Sequence, residues 1–102
     1  NRDVNIYIEY KNTNEDADSG ILTSKADFYV YIIKTPNKEG SNNNIAYVFN
    51  REELIKVIDE NEFPKAGNKN GGDNNASGYL IPLKELKSIT KAVIDVDKRI
   101  LL

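Results

Sequence analysis

Glu9 and Lys11 stand two residues apart in the run Val4-Asn5-Ile6-Tyr7-Ile8-Glu9-Tyr10-Lys11. Val4, Ile6, Ile8 and Tyr10 alternate there with Asn5, Tyr7, Glu9 and Lys11, which is the two-residue period of a half-buried strand. That alternation predicts Glu9 and Lys11 on one polar face. A carboxylate and an ammonium placed in this way can bind a divalent cation and steady a phosphate beside it. The same spacing also suits a solvated strand face carrying a cross-strand ion pair.

Two further places carry residues of chemical interest. Asp27 follows Ser24 by three residues, in a capping-box-like position, and enters the most apolar stretch of the chain, Phe28 to Ile33. A carboxylate there either satisfies backbone N–H groups or shapes a turn beside a site. Gly71-Gly72-Asp73 lies in a loop with Lys65 and Lys69 nearby, and paired glycines let a backbone offer N–H groups to an anion. The Gly-Lys-Ser/Thr ending of a P-loop is absent from it. Lys84, Lys87 and Lys91 would share one face of a C-terminal helix, the pattern of a solvated side.

Composition removes whole classes of chemistry. The chain has 102 residues, no Cys and no His. Disulfides, thiolate sites, Cys nucleophiles, Ser-His-Asp triads and His-ligated zinc are therefore excluded. Any metal must be held by oxygen, which points to Mg²⁺, Mn²⁺ or Ca²⁺. A net charge of −2 gives no global attraction to nucleic acid. No apolar run is long enough for a membrane span. Met is absent and the chain opens on Asn1 close to a strand, so residues 1–102 are read as one domain of a longer polypeptide.

The elements that must position these residues follow from the pattern. Residues 4–11 read as a strand and 12–20 as a polar loop. Phe28 to Ile33 reads as a central strand covered on both faces. A loop over 35–44 and a strand over 45–49 come next. Asn50, with Glu53 three residues on, caps a helix over 51–61 whose apolar stripe is Leu54, Ile55, Val57 and Ile58. Residues 65–78 read as a long Gly- and Asn-rich loop. Tyr79 to Ile81 is a short strand, and Pro82 opens a helix carrying Leu83, Leu86 and Ile89 inward. Val93, Ile94 and Val96 fit either an extension of that helix or a last strand.

The segments Ile6–Lys11, Ser19–Ile32 and Gly71–Leu83 together resemble bacteriophage and bacterial proteins of the PD-(D/E)XK nuclease superfamily. Asn5, Ile8, Glu9, Tyr10, Ser19, Gly20, Ile21, Ala26, Asp27 and Phe28 carry the likeness, followed by a Gly-Gly-Asp loop leading into Leu80-Ile81-Pro82. The resemblance implies a restriction-endonuclease-like α/β domain, with one mixed sheet of four or five strands and two helices. It also implies Mg²⁺- or Mn²⁺-dependent cleavage of DNA in the cytoplasm of a bacterial or phage-infected host. In one alignment Glu9 is an accessory acid, and the principal ligands come from an upstream segment or a second chain. In the other, Glu9-Tyr10-Lys11 is itself the Glu-x-Lys, and Asp3 is the preceding acid on the metal. Both leave the active site incomplete within this chain, and the expected site residues are Glu9 and Lys11 as catalytic, Glu9 and Asp3 on the metal, and Asp27 and Asp73 beside them. The rival expectation is a non-catalytic binding or structural module that uses the 65–78 loop.

Overall fold

A computed structural model describes residues 4–12, 17–67 and 76–102. Among these the chain forms a small α/β unit of two antiparallel sheets with helical segments packed between and beside them. Strand β1 is Asn5–Asn12, β2 Ala17–Asp18, β3 Phe28–Pro36 and β4 Asn42–Asn50. Helix α1, Arg51–Glu60, follows directly. Then come β5 Lys65–Gly67, β6 Ala76–Pro82, a 3-10 segment Leu83–Ile89, β7 Thr90–Asp95 and β8 Ile100–Leu101. No described helix is long and apolar enough to cross a membrane.

The first sheet has the order β2-β1-β6-β5 and the second β3-β4-β7-β8. This corrects the expected single mixed sheet. β3 and β4 are joined by the short turn at 37–41, which can only return the chain antiparallel. Asn37 holds that turn, its Oδ1 accepting from the backbone N–H groups of Glu39 and Ser41 at 3.0 and 3.1 Å. The connection long enough to be a parallel crossover, α1, instead carries the chain from the second sheet to the first.

α1 forms as the sequence predicts. The Asn50 side chain accepts from Glu53 N–H at 3.0 Å, and the Arg51 N–H, another donor without a helical partner, is taken by the Asp27 carbonyl at 2.9 Å. Leu54 and Ile58 are buried, and Ile55 and Val57 pack at the margin. The core is one cluster of Ile6, Ile8 and Ile81 from the first sheet, Phe49 from the second, Leu54 and Ile58 from α1, Ile21 from a 3-10 turn at Gly20–Leu22, and Leu86 from the 3-10 segment Leu83–Ile89. Lys91 on β7 pairs with Glu53 on α1 at 2.6 Å, both half exposed. Because Lys91 lies in a strand, the expected stripe of Lys84, Lys87 and Lys91 does not form on one helix face.

The second correction concerns β3. It is an edge strand, and only Tyr29, Tyr31 and Ile33 face the core. Phe28, Val30 and Ile32 on its other face are more than half exposed. A continuously apolar strand suits burial on both faces, but no described element lies over this side.

Candidate functional site

Glu9 sits on β1 across from Gly78 of β6, and next to it the ladder is interrupted. Glu9 pairs with Gly78 and Lys11 with Ser77, so Tyr10 is the extra residue of a β-bulge. Gly78 and Ser77 are consecutive on β6 and face opposite sides. The two-residue alternation that predicted a shared face for Glu9 and Lys11 therefore does not run through Tyr10. Upstream of the bulge the pattern holds, with Ile6 and Ile8 buried.

The partner that the Glu9 carboxylate does acquire comes from elsewhere in the sequence. Ser19 Oγ donates to Glu9 Oε2 at 2.6 Å, and Ser19 N–H donates to the Tyr10 carbonyl at 3.0 Å. Each residue of Ser19-Gly20-Ile21 has a separate task. Gly20 has φ +56°, and a Cβ added there would lie 2.2 Å from the Glu9 carbonyl oxygen, so no other residue lets the turn come this close to the strand. Ile21 is inserted into the core, and its carbonyl accepts from Arg51 Nε at 2.9 Å. The carboxylate is thereby held by the Ser19 hydroxyl on a tight turn, and Arg51 of α1 braces that turn through the Ile21 carbonyl.

Tyr7 completes the outer face of this place. Its ring covers Gly78, where an added Cβ would meet the ring at 2.5 Å, so the glycine makes room for the aromatic. Desolvation first, and then the Glu9 and Tyr10 charges, raise the Tyr7 hydroxyl above the ordinary tyrosine value. On the core side, Tyr10 stacks on Tyr79 with ring centroids 4.5 Å apart, and Lys65 Nζ lies 5.8 and 5.9 Å from the two centroids. Those distances are within cation–π range. Lys65 and Tyr79 are opposite one another on β5 and β6, which replace the two ends of the expected 65–78 loop.

The remaining candidates are placed as follows. Asp27 contributes its backbone carbonyl to Arg51 while its side chain stays exposed, so its demonstrated part in the fold is made through the main chain. The Ser24 hydroxyl accepts from Ala26 N–H at 3.1 Å, but residues 24–27 form no helical turn, so the capping-box-like position of Asp27 is not used as one. Asp3 and Asp73 lie outside the described residues. Sequence reasoning missed Tyr7 as a neighbour of Glu9. Gly78 was the available signal, since an isolated glycine in a strand often marks close approach by another group.

A hard divalent cation takes about six oxygen ligands. Among the described residues no three His, Cys, Asp or Glu side chains are grouped to hold a metal ion. The donor set at Glu9 is thus one oriented carboxylate with a hydroxyl on it, which does not by itself fit Mg²⁺ or Mn²⁺. No protein-family model matches the chain, and no curated protein or solved structure matches it significantly.

Proposed function

We propose that this chain supplies one part of a PD-(D/E)XK-type endonuclease, with Glu9 as an accessory acid of a site that acts on DNA. The observation that supports this reading is the convergence of Glu9 with Ser19 and Gly20. Residues ten positions apart, belonging to the two motifs that carry the family resemblance, meet around one carboxylate. A carboxylate fixed by a hydroxyl keeps one orientation, which is what pre-organised electrostatic stabilisation requires. Lys11, which the bulge turns from the Glu9 face, is left out of the group around that carboxylate. Further oxygen ligands for Mg²⁺ or Mn²⁺ come from an upstream segment or a second chain. The setting is the cytoplasm of a bacterial or phage-infected host.

The test is plasmid nicking with Mn²⁺ by the natural polypeptide that contains these residues, as wild type, Glu9→Gln and Ser19→Ala. Glu9→Gln keeps the shape and should lower the rate by roughly 100-fold or more, the usual loss when a major electrostatic stabiliser goes. Its melting temperature should change by only a few degrees, because a half-exposed neutral replacement still accepts from Ser19. Absence of nicking in wild type, or unchanged nicking in Glu9→Gln, refutes the reading. Calorimetric titration of residues 1–102 alone with Mn²⁺ should give no site of micromolar affinity or better, and finding one would show that the ligands are already in this chain.

A further inference from the structure

The outer face of the second sheet is apolar across all four strands. Register places Ile32, Ala46, Ile94 and Leu101 side by side in one row on β3, β4, β7 and β8, with Val30 and Val48 in the next row. Within and around these rows Phe28 is 55% exposed, Val30 55%, Ile32 61%, Val96 39%, Ile100 48% and Leu101 72%. Those fractions leave on the order of 600 Å² of apolar side chain in contact with water, at the upper limit for an ordinary monomer. It approaches the ~800 Å² per partner of a standard interface.

The relief of this face is self-complementary. Ile32 and Val30 stand as a ridge on one side and Ile100 and Leu101 on the other. Ala46 and Ile94 floor a trough of about 610 Å³ between them. A ridge beside a trough is what an isologous contact needs, since each copy then fills the other's trough. Charge permits the same arrangement. Arg99 is the one charged residue lining the trough, and it stands at the turn between β7 and β8. Along β3 the exposed apolar row is bounded by Asp27 at one end and Lys34 at the other. A two-fold axis running along the strands, between the β3 ridge and the trough, seats each copy's ridge in the other's trough and keeps the Lys34 side chains of the two copies apart. Copies of net charge −2 repel only weakly.

We propose that two copies of this chain associate through the outer faces of their second sheets, stacking as a two-fold β-sandwich about 10 Å between sheets. This goes beyond the nuclease reading and does not depend on it.

Sedimentation equilibrium of the chain, over about 1–200 µM, tests it across the affinities that interfaces of this size span. The expected result is a concentration-dependent mass reaching twice 11.5 kDa, with a melting temperature that rises with concentration. Ile32→Lys buries a charge in the contact while leaving the monomer's core untouched, and should raise the dimer dissociation constant at least ~100-fold. Lys38→Glu, in the exposed turn at 37–41 away from the trough, serves as the control and should leave the constant unchanged. A wild type that stays monomeric at 200 µM overturns the proposal and leaves the face to an amphipathic helix of another segment or partner. An Ile32→Lys variant that is still folded and dimeric overturns it. So do open-ended assemblies, which would place the contact on the free edge of β3 instead.

Discussion

Replacing Gly20 by Ala tests the close contact that holds Glu9. Two separate costs meet at this residue. Its φ of +56° is a left-handed backbone, which costs an L-residue roughly 1–2 kcal/mol. The new Cβ would also lie 2.2 Å from the Glu9 carbonyl oxygen and 2.7 Å from the carbonyl carbon. The obstacle is backbone within a paired strand, so the turn itself must withdraw. Withdrawal strains the Ser19–Glu9 and Ser19–Tyr10 bonds and unseats Ile21, which is 1% exposed. Overpacking of this kind costs about 1–3 kcal/mol. The total is roughly 2–5 kcal/mol, a large share of the ~5–15 kcal/mol that holds a domain together. At ~4–8 °C per kcal/mol for a chain of this length, the melting temperature should fall by about 10 °C or more. Gly40 provides the comparison, because its φ is +82° and nothing lies within 4 Å of an added Cβ. Gly40→Ala should show the backbone cost alone, about 1–2 kcal/mol. Asn visits the left-handed region with less penalty, so Gly40→Asn should be close to wild type, while Gly20→Asn should remain as damaging as Gly20→Ala. Thermal unfolding followed by far-UV circular dichroism, with urea midpoints as a second measure, reads all four variants. Equal losses at Gly20 and Gly40, or a Gly20→Asn variant that recovers stability, would refute the steric argument.

Leu54→Ala empties a fully buried position where α1 meets the core cluster. It should cost about 2–5 kcal/mol in urea unfolding, and a loss below 1 kcal/mol would mean that the helix is not seated as described. Tyr31, partly buried against the core and beside Tyr29, has its hydroxyl pushed up to about 12 by desolvation first and its neighbour second. A raised folded value means that the stabilisation is fully present below the unfolded value of ~10 and is lost as pH climbs through 12. Tyrosinate absorbance should therefore leave one residue neutral well above pH 10, and Tyr31→Phe should flatten the fall in melting temperature over that window. Titration of every tyrosine near pH 10 in the folded protein would contradict the burial.

Several elements were legible from local chemistry. The alternation of Ile6 and Ile8 specified the buried face of β1, because a pleated strand turns every second side chain inward. Asn50 and Glu53 specified the start of α1, since a helix leaves its first N–H groups unpaired and an Asn side chain can take one. Leu54 and Ile58 recur at helical spacing and are buried as that spacing requires. The segment Leu83–Ile89 read as helical and is a 3-10 segment with Leu86 inward.

What tertiary structure alone decided was what lies beside each element. Periodicity records which way a side chain points but not what meets it, so Phe28 to Ile33 read as a central strand and lies at an open edge. The bulge at Tyr10 arises from pairing with β6, and one extra residue suffices to separate Glu9 from Lys11. Ser19 and Gly20 were visible as a motif, yet their contact with Glu9 depends on a turn returning across the strand. A glycine reports that space is scarce without naming the atom that fills it. At Gly20 that atom is a backbone oxygen and at Gly78 a tyrosine ring, and both assignments needed the chain folded.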